Sequence, residues 1–555
     1  MIAFRKIRIR VKTSLGIVAG IFLYATVPAQ NASYDVPLNE PVYRYLDMLA
    51  FPGRVNDISL SSRPFTEAQV CSLLVYAERT SLCADTAINN FYLRRFAKTD
   101  SGTLQCKVPA QFDFDGWRTY AYPHVSTSFG IQDSNYSPLG FTTAGIDSIS
   151  KRHEFYNGSS AGLRLYSTIG RVLVYFNGSI LTEYSTRREW SRSDSGDPQL
   201  HELYVPIGAD TAHLKGHDDF TAYMKIPLSW CDIKLGYDRV SWGYADSSGL
   251  MFSGIGSPFL HMKLDKTFGT LNYTFLIGKL TGDTYEQRRV IYAKHITYTP
   301  RRWLSLGFSD AVISNREIEP AYFLPFVPFY FTERFLGSPD NRIMGFDGKL
   351  LINQRWTAYG EFLIDDLSNL LGIFRNTSWG DKWGGLFGVK LFNPVPALHT
   401  SAIKLEIVQI EPWVYTTSSA TQTDETRNYP VNFGQLLGNE LGPHSRAITL
   451  DFSCQLSKRI GGGLSIQQVW KGKGAGSNVF DSFYSVFDTA SDPNKYTTKA
   501  YRFQDFYRNR TIMSLRTITF LKDWLLLNCY GDFTLERKPV PVDLFRIGVD
   551  AQVNY

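Results

Sequence analysis

At the C-terminus, Phe545, Ile547, Val549, Ala551, Val553 and Tyr555 occupy every second position, and Arg546, Gly548, Asp550, Gln552 and Asn554 fill the places between. Successive side chains of a strand point to opposite faces, so this pattern predicts a strand with one apolar and one polar face. The same period recurs upstream. Leu271, Tyr273, Phe275 and Ile277 alternate with Thr270, Asn272 and Thr274, and Ile403, Leu405 and Ile407 alternate with Lys404 and Glu406. Ile448, Leu450, Phe452, Cys454 and Leu456 alternate with Thr449, Asp451, Ser453, Gln455 and Ser457, and Leu527, Cys529, Phe533 and Leu535 continue the theme around Gly531. Residues 266–269 look like a tight turn, and the polar stretches 185–218, 415–445 and 471–500 look like external loops. Short alternating segments with such connections suit a transmembrane β-barrel, with apolar positions toward lipid and polar ones toward the lumen. The edge strand of a soluble sandwich alternates in the same way, so the period alone leaves both open.

Residues 30–105 have a different texture. Val42, Tyr45, Leu46 and Leu49 repeat at helical spacing. Thr66 and Gln69 match a capping box, in which each side chain satisfies a free backbone donor, and Val70, Leu73, Leu74 and Ala77 form the apolar stripe that follows. Asp85 can cap a third helix carrying Ile88, Phe91, Tyr92 and Arg95. This predicts a periplasmic helical module, serving as a plug or rim cover or as a docking site for a periplasmic partner.

The first residues favour the barrel over the sandwich. Arg5, Lys6, Arg8, Arg10 and Lys12 precede an apolar stretch over 15–27, and Val27-Pro28-Ala29 supplies small residues before Gln30. Residues 1–29 therefore read as a secretory signal peptide, too short in its apolar core to span a membrane. The chain's formal charge of +6 includes the five basic residues of this leader, so the remainder is nearly neutral and nucleic acid is not an expected partner. No second apolar run approaches the length of a spanning helix. Aromatic residues make up 15% of the chain, enough to furnish the girdles of an outer-membrane barrel. The expected fold is thus an all-β, antiparallel outer-membrane β-barrel over residues 106–555, of about 16–18 strands at roughly 25 residues per strand and connection, with a small N-terminal α-helical module. The 6 cysteines imply no disulfide framework. Cys454 and Cys529 fall on apolar registers as small apolar residues, and a Cys71–Cys83 bridge is left open.

Catalytic signatures fail on inspection. His201-Glu202 begins like HExxH, but Val205 stands where the second histidine belongs. The glycines of 472–476 lack Walker spacing, and Gly254-Ile255-Gly256-Ser257-Pro258 is no nucleophile elbow. Asp113 and Asp115 read as rim carboxylates facing water. No metal spacing and no cofactor motif occurs, and no catalytic residue is assigned.

Three clusters combine aromatics or glycines with charges and amides. The first contains Trp242 and Asp246, the second Tyr330, Glu333, Arg334, Asp340 and Asn341 after the aromatic run 322–331, and the third Asn439, Glu440 and His444. Aromatic faces cover the apolar side of a sugar ring while carboxylates, amides and Arg bond its hydroxyls, so these ten are the candidate polysaccharide-binding residues. Girdle packing and turn formation account for the same residue types.

Taken together, these segments resemble the capsule assembly protein Wzi family. The resemblance rests on Val36-Pro37-Leu38 with Tyr43, Leu46, Leu49 and Arg63-Pro64; on Trp242-Gly243 followed by Leu250, Ser253, Ser257, Pro258 and Phe259; on the run 359–366, Tyr-Gly-Glu-Phe-Leu-Ile-Asp-Asp; and on Leu437-Gly438 with Leu441-Gly442-Pro443. One departure is Tyr244, where the family pattern has proline after Trp-Gly. The resemblance implies an outer-membrane barrel with a periplasmic helical bundle, non-enzymatic, holding capsular or other exopolysaccharide at the cell surface in a lectin-like way. Its partners would be that polymer, outer-membrane lipid, and the barrel assembly machinery acting on the terminal strand and Tyr555. A porin or solute channel is the alternative, against which the aromatic run 322–331 counts mildly, since it could fold inward and occlude the pore; an outer-membrane hydrolase is the third reading.

Overall fold

The computed structural model describes residues 33–38, 40–80, 82, 86–96, 110–114, 117–134, 152–185, 214–246, 248–281, 288–316, 318–338, 340–366, 381–395, 397–398, 400–417, 428–472, 476–479, 506–522, 524–538 and 542–554. The leader, Cys83, Asp85, Cys106, Asp115, His201, Glu202 and Tyr555 lie outside these residues, and so does any Cys71–Cys83 bridge.

Eighteen antiparallel strands among the described residues close a barrel, the upper end of the expected range. They are β1 (Trp117–Ser134), β2 (Arg152–Ile169), β3 (Val172–Ser185), β4 (Leu214–Pro227), β5 (Asp232–Asp238) and β6 (Phe259–Phe268). Next come β7 (Leu271–Thr281), β8 (Arg288–Arg301), β9 (Leu304–Ser314), β10 (Asn341–Asn353), β11 (Trp356–Asp366) and β12 (Lys382–Phe392). The last are β13 (Thr400–Ile410), β14 (Ser445–Ser457), β15 (Ile460–Gly472), β16 (Phe506–Lys522), β17 (Leu525–Lys538) and β18 (Val542–Asn554). The seam closes where β18 pairs with β1, from Asn554 against His124 to Leu544 against Ser134. A short strand, Ala110–Phe114, pairs with the start of β1 and completes the same column below β18.

The alternation holds, and it is inside out relative to a soluble protein. Phe545, Ile547 and Val549 are 44%, 48% and 38% exposed, while Leu405 and Ile407 are exposed beside buried Lys404 and Glu406. Apolar side chains outside and polar ones inside mark a wall surrounded by lipid, which removes the sandwich alternative. Among the described residues no helix is long and apolar enough to cross a membrane, so the strands are the crossing elements. Cys529, opposite Val549, is exposed on the outer wall, and Cys454 is buried.

The two ends of the barrel differ. At one, strands are joined by connections such as 170–171, 269–270, 302–303 and 458–459. Exposed Trp230, Trp303, Trp356 and Trp524 ring this end as an aromatic girdle. The other end carries the long connections.

The N-terminal residues form α1 (Pro41–Asp47), α2 (Glu67–Arg79) and α3 (Thr86–Phe96). The capping box is present: Thr66 Oγ1 accepts from the Gln69 N–H at 3.2 Å, and the Thr66 N–H donates to Gln69 Oε1 at 2.8 Å. Val42, Tyr45, Leu46, Val70, Leu73, Leu74 and Ala77 are buried as their spacing predicts. These residues lie inside the barrel at the end with short connections. Tyr34 stacks on Tyr166 of β2 and Tyr175 of β3, Ser61 bonds His295 and Thr297 of β8, and Phe91 packs edge-on against Phe520 of β16. The plug therefore meets inward side chains around much of the circumference.

Candidate functional site

From the opposite end, residues 239–258 enter the lumen and meet the plug. Ser241 and Trp242 pair with Arg63 and Ser62 as a two-residue ladder. Trp242 is 2% exposed, with its ring stacked on His295 at 5.0 Å and edge-on to Phe252 at 4.6 Å. Just beyond, Glu361 of β11 clips the loop. Its carboxylate accepts the N–H groups of Tyr244 at 3.1 Å, Ala245 at 3.0 Å and Leu250 at 2.7 Å. Gly243, at φ +101°, lies so close to that carboxylate that a Cβ would collide with it. Tyr244 is the departure from the family pattern, and the structure uses what proline lacks: its N–H bonds Glu361, and its hydroxyl donates to Ser305 Oγ at 2.6 Å.

A second segment locks onto the first. Residues 428–444 place the Ser253 N–H on the Leu437 carbonyl at 2.8 Å, the Ser257 hydroxyl on Gln435 at 2.7 Å and the Asn432 amide on the Pro258 carbonyl at 2.9 Å. Tyr415, nearly fully buried, donates to the Leu250 carbonyl at 2.7 Å. The expectation that 415–445 is an external loop is corrected for these residues: Tyr415, Tyr429, Val431 and Leu437 are apolar enough to be driven into the lumen, where all four are buried.

Charges are paired across the seal. Burial alone would push the Asp35 carboxyl up, but Lys225 at 3.2 Å and Lys234 at 2.7 Å outweigh it and hold Asp35 well below the usual carboxylate range. Asp47 behaves alike: against the opposing effect of burial, Arg63 at 2.5 Å and then Lys390 bring it down to about 2. Asp246 is raised, because burial outweighs its contact with Lys390. Asp47, Arg63, Asp246, Lys349 and Lys390 line a cavity of about 40 Å³, room for water but not for a sugar ring. A larger cavity of about 760 Å³, bordered by Asp35, Lys225, Lys263 and Lys266, includes the short turn at Gly269 in its lining.

The ten candidates thus divide between two surfaces. Trp242, Asp246, Asn439 and His444 belong to the lumen seal: Asn439 donates to the Ser248 carbonyl at 2.5 Å, and Asn439 and His444 are 1% and 0% exposed. Glu440 is half-buried there, its N–H on Ser248 Oγ at 3.0 Å. Asn341 also points inward, donating to the Asn428 carbonyl at 2.9 Å. The aromatic run does not fold inward to occlude the pore. It lies on the outer wall, where Tyr322 bonds Asp340 at 2.8 Å and Tyr330 accepts from Arg334 at 2.7 Å, with Glu333 half-buried and Tyr330 41% exposed. The sequence reading missed Glu361 and Asp35 as organising residues, although Glu361 stood inside the acidic run 359–366.

The family model of the capsule assembly protein Wzi matches residues 153–494, from β2 through both inward segments to beyond β15. The chain belongs to the Wzi family. Among curated proteins, none matches. The structure of Wzi, an outer membrane protein involved in group 1 capsule assembly in Escherichia coli and a carbohydrate-binding β-barrel, superposes with a TM-score of 0.56 at 12% identity, covering 94% of this chain and 100% of that one. The likeness shows a shared Wzi-type barrel fold. Pseudomonas aeruginosa OpdL aligns at a TM-score of 0.41 and 10% identity over 78% of this chain and 99% of its own, too loosely to support an argument.

Proposed function

We propose that this chain is a non-enzymatic outer-membrane protein that binds capsular or other surface polysaccharide and holds it at the cell exterior. The observation that carries this is the seal: two segments from the long-connection end and a plug from the other meet in the lumen, clipped by Glu361, in a chain of the Wzi family. A barrel that spends its loops on closing itself is better suited to retention than to passage. The carbohydrate-binding character of the E. coli Wzi barrel supports the same ligand class. Short turns of outer-membrane barrels face the periplasm, which puts the plug there and the long connections outside. Exterior loops would contact the polymer at many weak points, so that avidity retains it. Of the candidates, Trp242, Asn439 and His444 would act by holding the loops in shape, and Asp246, Asn341 and Glu440 by steadying the seal's polar edge. The barrel assembly machinery, engaging the terminal strand, remains part of this reading.

Deleting the gene is expected to move polysaccharide from the cell-bound fraction to the medium while total synthesis holds; unchanged retention would sink the proposal. The channel alternative predicts stepwise conductance of the native protein in planar bilayers.

A further inference from the structure

The barrel has a second hydrophobic core, and it lies outside the wall. Register and alternation fix the faces. His295 points into the lumen, where it bonds Ser61, so its neighbours Lys294 and Ile296 point outward. Across the ladder Lys294 stands opposite Phe275 and Asp310, Tyr292 opposite Val312, and Ile296 opposite Tyr273. All of these belong to the outer face. Yet Tyr292 and Val312 are 0% exposed and Phe275 is 5% exposed, because residues 318–338 cover them.

This connection leaves β9 at Ser314, runs down the outer wall and returns to β10 at Asn341. It contains a 3₁₀ turn, Pro320–Phe323, and a short helix, Phe329–Phe335. Tyr322 and Phe329 are buried against the wall. Phe326 reaches Tyr273 at a ring distance of 4.8 Å, and Tyr273 lies two places from Leu271, the first residue of β7 beside its short turn. At that level the wall residue of β9 is Phe308, opposite Ile296 and six places from Ser314, about 20 Å along the strand. At a strand tilt near 40° this is roughly 15 Å of height, so the segment overlies more than half of an apolar band of about 25 Å.

The wall beneath is polar where lipid would demand otherwise. The Lys294 ammonium donates to the carbonyls of Leu324 at 2.8 Å and Val327 at 2.7 Å and lies 3.9 Å from the Phe329 ring centre. Asp310 accepts the Phe329 N–H at 2.7 Å and lies 3.7 Å from Arg342, whose guanidinium stands over the Tyr330 ring. Non-helical backbone at membrane depth persists where protein satisfies its polar groups; Lys294 and Asp310 do so for two carbonyls and one N–H, and Arg342 stands beside Asp310 as its counter-charge. On the far side, Phe323, Leu324, Phe326, Tyr330, Phe331 and Phe335 are 39%, 52%, 62%, 41%, 63% and 89% exposed. They continue the exposed apolar wall represented by Leu306, at 49%.

We propose that residues 318–338 are a membrane-embedded flap whose outer surface meets lipid acyl chains, so that over β7–β10 the flap, rather than the strands, makes the lipid contact. Tyr330, Glu333 and Arg334 then serve the flap and not the polymer. This inference does not rest on polysaccharide binding.

The test uses the full chain in phosphatidylcholine vesicles, with nitroxides at Phe331→Cys and Phe335→Cys in a variant lacking the native cysteines, and Leu306→Cys as the wall reference. The ratio of oxygen accessibility to that of a water-soluble nickel chelate should match the reference at both flap positions. High nickel accessibility would overturn the proposal in favour of an aqueous loop. Low accessibility to both, with dipolar coupling between neighbouring molecules, would overturn it in favour of a second copy of the chain. A photoreactive phenylalanine analogue at Phe331 in the otherwise native chain gives a second reading: a phospholipid adduct is expected, and an adduct to protein alone counts against the flap.

Discussion

Two connections at the same end of the barrel, 239–258 and 318–338, meet opposite fates. Each carries aromatics that are excluded from water, and each is tied down by charges from the wall. The first enters the lumen, where Trp242 and Phe252 are both 2% exposed. The second lies outside, with Phe329 buried and Phe335 89% exposed. What separates them is the second face. Inside, the loop is met on every side by wall, plug and the 428–444 segment, so all of its apolar surface can be buried. Outside, a segment one layer thick has protein on one side only, and its other side must suit whatever surrounds the wall. Aromatic content therefore does not decide where a loop goes; the polar partners waiting on each face do.

Breaking the inner clip should have the largest effect. Glu361→Ala leaves three N–H donors of the loop without an acceptor, at about 1–3 kcal/mol each and so roughly 3–9 kcal/mol together. A lower thermal unfolding temperature and new conductance steps in bilayers are expected; a sealed, fully stable variant would show that the clip is not what holds the loop. Trp242→Ala should cost about 3–5 kcal/mol through lost packing between plug and loop, read by the same unfolding assay. On the outer wall, Lys294→Met removes the donor to two carbonyls, a loss of about 2 kcal/mol. It should expose residues 318–338 to protease without opening the lumen, and a rise in conductance would mean that the two regions are not independent.

A gentler probe is acid. The folded pKa of Asp47 lies near 2, below the ordinary 3.8. Its stabilising contribution is therefore complete above the ordinary value and is lost as pH falls from there toward about 2. Thermal unfolding followed down this range should show the plug weakening, and Asp47→Asn should flatten that part of the profile. The smallest expected change is Thr66→Ala, which removes half of the capping box for about 1 kcal/mol and should leave the outer flap untouched by protease mapping.

Much of the wall was legible because a strand's two faces are written at alternate positions: Leu405 and Ile407 against Lys404 and Glu406 needed no structure to assign. The capping box was equally local, with Thr66 and Gln69 three residues apart. Direction in or out of the barrel was not legible for the loops. The aromatic run 322–331 and the Gly- and Ser-rich block around Trp242 both carry aromatics, and their destinations depend on Lys294 and Glu361, which come from other elements of the chain. Trp242, Asn439 and His444 looked like sugar contacts because the residue types that bond hydroxyls also bond backbone; burial, which separates the two uses, is a tertiary property.

β1 and β2 are long, at 18 residues each, whereas β11 to β13 have 11 each. At about 3.4 Å per residue and a tilt near 40°, the difference amounts to roughly 18 Å of wall. Because the short connections share one end, the described strands reach unequal heights at the other. On the proposed polysaccharide-binding reading, that inequality of height would give an approaching polymer a preferred direction in which to lie.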